Sequence, residues 1–226
     1  MKVSKNTVYT ALVALSVTVL IVSNLASTKM FDFFGTGLVW DGGAILFPLS
    51  YILGDVITEL YGFKKAKKVI FITMLMTLLA ALTLFGVQLL PPGPGWENQT
   101  AYEAVLGFFP RIVLGSVIAY LVGQVLNSYV FSKIKVATKG KRLWVRALGS
   151  SLVGNLVDTL IFITIAFVGT ISSGQFIGLL ALAYASKMVG ETVLLPVTYT
   201  VIRWLKKLTG QDHYDKKLGL KDVFRV

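Results

Sequence analysis

The chain has 226 residues, of which 55% are hydrophobic and 15% charged, and it carries a formal net charge of +11. A soluble domain has about 25% charged and about 45–50% apolar residues, so a soluble fold could not bury this much apolar surface. Cysteine is absent and the single histidine lies in the charged C-terminal tail, which excludes a disulfide framework and a His/Cys metal centre.

Six apolar stretches follow one another along the chain, at residues 7–27, 42–61, 69–90, 104–131, 147–168 and 176–202. Each approaches or exceeds the about 20 residues that an α-helix needs to cross a hydrocarbon core. Backbone polar groups have no water partners in lipid, so helices are expected. The sequence therefore predicts an all-α integral membrane protein with six transmembrane helices in one domain, residues 1–226, with a basic cytoplasmic tail from about 203. This plan permits two inverted three-helix halves.

Basic residues alternate from loop to loop. They cluster at 64–68, at 133–146 and at both ends of the chain, whereas the loops 91–103 and 169–175 contain no Lys or Arg. The positive-inside rule then places both termini in the cytoplasm, and we expect the protein in the cell inner membrane. The basic loops act as orientation signals or as contacts for anionic lipid headgroups, so we expect no nucleic-acid partner.

The first apolar stretch has a second interpretation. Lys2 and Lys5 precede the apolar residues 9–22, an order that also occurs in cleaved signal peptides. The stretch is longer than the usual 7–15 residues and no clean small-x-small site precedes Ser27. We therefore favour a retained helix.

Six ionisable residues remain inside the predicted spans: Asp55, Glu59, Arg111, Asp158, Lys187 and Glu191. Charged groups at membrane depth are unfavourable and normally mark a site or pathway. Structural ion pairs are the alternative, and the four-residue spacing of Lys187 and Glu191 could be only a local pair. Acids outnumber bases by two, however, and the surplus favours a functional role for the set.

One helix face combines acids with aromatic rings. Phe47, Tyr51, Asp55 and Glu59 recur every four residues, which places them on the same side of a helix. We expect this face to point into the bundle.

Two motifs resemble a known family. The run Asn24–Lys29 (NLASTK) and the segment FPLSYILGDVITELYG at 47–62 are similar to the queuosine precursor transporter family, formerly described as vitamin uptake transporters. The likeness extends over nearly the whole chain, through Arg111, Gln124, Asp158 and Lys187. Further matching positions are Ile112, Ser116, Trp144, Val145, Arg146 and Ser150.

The resemblance implies an inner-membrane carrier that imports 7-deazaguanines, the cyano and aminomethyl precursors of the tRNA base queuosine. Asn127 stands where the family is expected to have Asp, and Asn155 where Gln is expected, so substrate preference or ion coupling could differ. Glu191 belongs to no family motif. The candidate substrate-binding residues are Asn24, Lys29, Phe47, Tyr51, Asp55, Glu59, Arg111, Gln124, Asn127, Asn155, Asp158 and Lys187.

The chemistry of a guanine-like ring suggests roles for some of these residues. Asp55 or Asp158 would accept its adjacent N–H donors, Lys187 or Arg111 would face its carbonyl, and Phe47 or Tyr51 would stack on the ring. Glu59 is the candidate proton-coupling group, because burial beside Asp55 would raise the pKa of one of the two acids.

Two other functions compete with a secondary carrier. The substrate-binding subunit of an energy-coupling-factor transporter is also a compact six-helix membrane protein, but it depends on a separate ATPase. An intramembrane enzyme is disfavoured because the sequence has no HExxH, no G-x-S-x-G and no phosphate-binding glycine loop. We expect no enzyme activity and no bound cofactor; a bundle of this size permits a homodimer, but no motif proves one.

Overall fold

The computed structural model describes residues 4–32, 39–106, 109–167, 173–219 and 221–224. Helices dominate this part of the chain. They are α1 (Lys5–Ala26), α2 (Phe47–Tyr61), α3 (Phe63–Gln88), α4 (Gln99–Leu106), α5 (Phe109–Ala137), α6 (Leu143–Phe167), α7 (Ser173–Thr209) and α8 (Lys221–Phe224). A short antiparallel pair, β1 (Met30–Asp32) and β2 (Val39–Asp41), and a 3₁₀ turn (Gly42–Ile45) connect α1 to α2.

The described residues include five helices that are long and apolar enough to cross a membrane: α1, α3, α5, α6 and α7. The chain is therefore a multi-pass membrane protein, and the predicted helical class is confirmed. The prediction of six spans is not confirmed, because residues 42–61 form a 3₁₀ turn followed by a helix of only 15 residues. At 1.5 Å per residue α2 is about 22 Å long, less than the about 30 Å of a hydrocarbon core.

Two other sequence predictions differ from the structure in detail. The stretch 104–131 is divided between α4 and the longer helix α5. The last helix, predicted to end near residue 202, continues to Thr209. The β pair was not predicted, since its strands have only three residues each.

Helix α2 lies at the centre of the bundle. Every residue from Ser50 to Tyr61 is buried, and its apolar side chains pack with residues of α1 and α7, among them Leu12 and Leu205. Gly62 ends the helix with φ +81°, a left-handed conformation that favours glycine. Because α3 begins at the next residue, the chain passes from the central helix to a peripheral one in a single step.

The start of α1, the α2–α3 junction and the described tail residues after α7 meet at one end of the bundle, which we call the basic end. There the Tyr61 hydroxyl donates to the Lys5 carbonyl at 3.1 Å. The Lys67 ammonium donates to the carbonyls of Asp222 and Val223 at 2.9 and 2.6 Å. The hydrogen bonds of Lys67 therefore hold the C-terminal tail against α3.

Asp215 attaches the tail to α3 and α5. Its Oδ2 accepts hydrogen bonds from the Phe63 backbone N–H at 2.8 Å and from the Ser132 hydroxyl at 2.9 Å. The first N–H groups of a helix lack intrahelical partners, and a carboxylate there satisfies them and complements the helix dipole. Asp215 therefore caps α3 from a position 152 residues away in sequence.

Candidate functional site

Helices α5 and α6 cross in close contact at two glycines. A Cβ placed on Gly123 would lie 2.6 Å from the Cβ of Asp158, and one on Gly154 would lie 2.7 Å from the Cβ of Asn127. Small residues at a membrane helix crossing let the backbones approach. The crossing places the polar side chains of Asn127 and Asp158 inside the bundle, where both are at most 2% exposed.

Six polar residues from four helices form a layer inside the bundle, which we call the central layer. They are Asp55 of α2, Asn127 of α5, Asn155 and Asp158 of α6, and Lys187 and Glu191 of α7. The sequence predicted five of them as site residues. The exception is Glu191, which it identified only as an intramembrane charge.

Three side-chain pairs hold the central layer together. Asn127 Nδ2 donates to Asp55 Oδ1 at 2.9 Å, and Asn155 Nδ2 donates to Glu191 Oε1 at 2.9 Å. Lys187 forms a hydrogen-bonded ion pair with Asp158. Lys187 therefore pairs with α6 across the bundle, and its interpretation as a local partner of Glu191 on the same helix is wrong.

The central layer retains unused hydrogen-bonding capacity. The side-chain oxygens of Asn127 and Asn155 are buried and have no hydrogen-bond partner among the described residues. The buried Tyr51 hydroxyl likewise has no partner among these residues. Buried polar groups in proteins are normally paired. Asp55 and Glu191 also line a small cavity with room for about one water molecule. Such unpaired groups are typical of a site that takes a polar ligand.

The predicted aromatic pair lies beside the central layer. The rings of Phe47 and Tyr51 are 5.7 Å apart between centroids, and Lys187 Nζ lies 4.5 Å from the centroid of Phe47. This distance is within the range of a cation–π interaction. Lys187 therefore covers one face of Phe47, so a base that stacks on that face has to displace the ammonium.

The other predicted site residues have different surroundings. Gln124 is fully buried and its Nε2 donates to the Ser50 carbonyl at 3.2 Å. Asn24 of α1 accepts from the Ser116 hydroxyl at 2.8 Å. Lys29 is exposed in the turn after α1, and no contact among the described residues joins it to the central layer. The side chain of Arg111 lies outside the described residues.

Glu59 lies in a second group of charges nearer the basic end, which we call the Glu59 cluster: Glu59, Lys135, Arg146, Lys206 and Asp212. Arg146 binds the Glu59 carboxylate in a bidentate fashion, with Nε to Oε2 at 3.0 Å and Nη2 to Oε1 at 2.7 Å. Lys206 Nζ lies 2.5 Å and Lys135 Nζ 3.4 Å from Oε1. Three cations from α5, α6 and α7 therefore surround one carboxylate of α2.

The tail completes the Glu59 cluster through Asp212. Lys135 and Lys206 lie 2.6 and 3.0 Å from Asp212 Oδ1. Burial raises the pKa of Asp212, but the hydrogen bonds from these two lysines lower it by more, so the net pKa is below the ordinary value. The cluster thus joins the tail and four helices at the basic end. This arrangement favours a structural role for Glu59.

Sequence reasoning assigned the basic members of this cluster incompletely. Lys135 and Arg146 were interpreted with the loop charges as orientation signals, yet each is 2% exposed. Arg146 directly precedes an apolar run and belongs to the family-like segment Trp144–Arg146, which was the available signal. No local pattern connects Lys206 with Glu59, because their contact spans 147 residues. Asp212 joins the cluster through Lys135, 77 residues away, and through Lys206.

The fold and the site define the class of protein: a multi-pass helical membrane protein with a buried polar site between its helices. Residues 41–201 match the family model described as putative vitamin uptake transporter. A probable queuosine precursor transporter of Bacillus subtilis (strain 168) is 31% identical over 191 residues, which cover 84% of this chain and 81% of that protein.

Two further relatives agree. The queuosine precursor transporter of Escherichia coli (strain K12) is 30% identical over 55% of this chain and 54% of its own length. A probable queuosine precursor transporter of Haemophilus influenzae (strain ATCC 51907 / DSM 11121 / KW20 / Rd) is 29% identical over 63% and 56%, respectively. No solved structure matches the chain. The chain belongs to the putative vitamin uptake transporter family, whose curated relatives are named queuosine precursor transporters, and the predicted family is confirmed.

Proposed function

We propose that this protein is a secondary carrier that imports 7-deazaguanine precursors of queuosine into the cytoplasm. The observation that carries the substrate class is the similarity to proteins named queuosine precursor transporters, the first over 84% of the chain. The central layer provides the matching chemistry. In this proposal the protein is not an enzyme and needs no ATPase partner; a homodimer stays a prediction.

The proposed topology has six spans in the inner membrane, with both termini in the cytoplasm. The basic end contains the start of α1, the described tail and the Lys- and Arg-rich junctions on one side of the bundle, which the positive-inside rule assigns to the cytoplasm. The sixth span is α2 together with the 3₁₀ turn before it. A helix this short is tolerated because all its residues from 50 to 61 are buried in protein rather than exposed to lipid.

The proposed site accepts the hydrogen-bond donors of a guanine-like ring. Such a ring presents adjacent N–H groups beside a carbonyl, and the free amide oxygens of Asn127 and Asn155 with the Asp55 carboxylate are acceptors. Lys187 Nζ lies 4.5 Å from the centroid of Phe47 and would donate to the carbonyl. Bonds to the charged groups would be the stronger ones.

Access to the site has to alternate between the two sides of the membrane. The cavity next to Asp55 has room for about one water molecule, so the helices must separate before a bicyclic base enters. The Glu59 cluster joins α2, α5, α6 and α7 at the basic end. We propose that the structure represents a conformation closed toward the cytoplasm.

Uptake into proteoliposomes that contain only this protein tests the proposal. Labelled deazaguanine precursor should accumulate when a pH gradient is imposed and should not accumulate with Asp55→Asn. Glu97→Gln is the matched control, because Glu97 is an exposed acid in the loop before α4, and it should behave as the wild type. Binding without uptake would indicate an ATPase-dependent subunit, and the absence of binding would contradict the substrate class.

A further inference from the structure

We propose that Asp55 and Glu191 together hold one proton, and that this pair is the site at which a proton gradient is coupled to transport. The inference rests on the proposed carrier function and adds the coupling ion and its binding groups. Glu191 carries the new assignment, since the sequence motifs gave it no role.

The two carboxyl groups come from different helices and meet at one cavity. Asp55 of α2 and Glu191 of α7 both line it, together with apolar side chains such as Ile52 and Leu195. Asp55 is 5% exposed and Glu191 is 8% exposed. The site therefore lies in the interior of the bundle, next to a space that admits about one water molecule.

The charges around the pair are already engaged elsewhere. On α6, Arg146 binds Glu59 and Asp158 binds Lys187. On α7, Lys187 is therefore committed to Asp158, and on α2, Glu59 is surrounded by its own cations. The group that α5 presents to the pair is the neutral Asn127 amide, and α2 adds the Tyr51 phenol, which interacts with both acids. Among the described residues, neither Asp55 nor Glu191 has an ion-pair partner.

The unpartnered polar side chains beside the pair indicate that a hydrogen-bond donor is missing. Each acid receives one amide N–H, from Asn127 or Asn155, while the oxygens of these two amides have no partner. A proton on one of the two acids turns a carboxylate into a donor and so adds one donor to this group of acceptors.

Electrostatics makes one shared proton the favoured state. Two carboxylates in one low-dielectric site cannot both ionise without a large penalty, and an uncompensated charge at membrane depth is unfavourable by several kcal/mol. Arg146 and Lys187 attract a negative charge on the pair, whereas Glu59 and Asp158 repel it, which favours one negative charge over two. The pair then behaves as one titrating unit.

The position of the pair gives the proton a mechanical consequence. With one proton bound, a carboxyl of one helix can donate to a carboxylate of the other, which holds α2 and α7 together. Loss of that proton leaves two like charges that repel, which favours separation of these helices. Proton release on one side of the membrane and capture on the other therefore bias the conformations that alternate during transport.

Infrared spectroscopy of the purified full-length protein without substrate tests the proton directly. The wild type should show the carbonyl stretch of a protonated carboxylic acid at neutral pH. The double variant Asp55→Asn/Glu191→Gln should lose it, and Glu97→Gln should keep it. If the wild type lacks the band, or the double variant retains it, the proposal is wrong whether or not the protein carries deazaguanines.

Transport by Glu191→Gln tests the coupling. Accumulation driven by a pH gradient should fall at least about tenfold more than exchange of labelled for unlabelled precursor without a gradient. An equal loss of exchange would make Glu191 a substrate-binding or folding residue. Dependence on a sodium rather than a pH gradient would likewise overturn the proposal. If the wild type transports no deazaguanine, the proposed function fails while the infrared result still reports on the proton.

Discussion

Neutralising Glu59 should destabilise the protein strongly without removing its proton coupling. Glu59 is fully buried and accepts two hydrogen bonds from Arg146 and one from Lys206. In Glu59→Gln the side chain keeps its shape, but the cations lose their shared counter-charge. Removing one member of a buried ion pair typically costs about 3–5 kcal/mol.

The contacts that remain in Glu59→Gln place the expected loss of folding free energy at the lower end of that range. Lys135 and Lys206 keep Asp212 as a partner at 2.6 and 3.0 Å, and Arg146 keeps the carbonyls of Gly140 and Lys141 at 3.1 and 3.2 Å. We therefore expect about 3 kcal/mol, which for a chain of this length lowers the melting temperature by roughly 6–12 °C.

Thermal unfolding in detergent measures the effect, with Glu97→Gln as the exposed-acid control. A double-mutant cycle with Arg146→Met isolates the pair, because deleting both partners removes the uncompensated charge. The double variant should be less destabilised than the sum of the single variants by at least about 1 kcal/mol. Additive effects, or a Glu59→Gln protein as stable as the wild type, would refute a structural role for the Glu59 cluster.

Three further predictions concern the crossing, the aromatic pair and the tail. Gly123→Ala should destabilise the protein by about 1–3 kcal/mol in thermal unfolding, because the new Cβ would lie 2.6 Å from that of Asp158. Gly86→Ala is the control and should not destabilise the protein, since Gly86 faces open space. Lys187→Gln should reduce uptake about 10–100-fold through loss of a charge-assisted hydrogen bond. Lys187→Arg keeps the charge and should retain part of the uptake; an equal loss of uptake in the two variants would contradict a role for the charge alone. Asp215→Ala should cost about 1 kcal/mol by removing the α3 cap, and limited proteolysis of the tail should accelerate; an unchanged cleavage rate would show that the tail is held by other contacts.

The sequence was informative about the class of protein because hydropathy and charge act locally. Long apolar runs predict helices that cross a membrane, and each of the five long spans follows from its own residues. The family could be inferred from contiguous motifs such as 47–62. The acids Asp55, Glu59, Asp158 and Glu191 were visible as charges in apolar runs, since a buried charge needs no tertiary information to appear unusual.

The partners of those charges could not be predicted from the sequence, because every decisive contact joins different helices. Asp55 and Glu59 lie on one face of α2, yet they differ in environment: Asn127 approaches the first and Arg146 the second, 72 and 87 residues away. Lys187 is nearest in sequence to Glu191 but pairs with Asp158. Sequence by itself determined the membrane class, the family and the set of intramembrane charges. Only the tertiary structure decided which carboxylates are neutralised and which are left together, because helix packing sets the distances between charges.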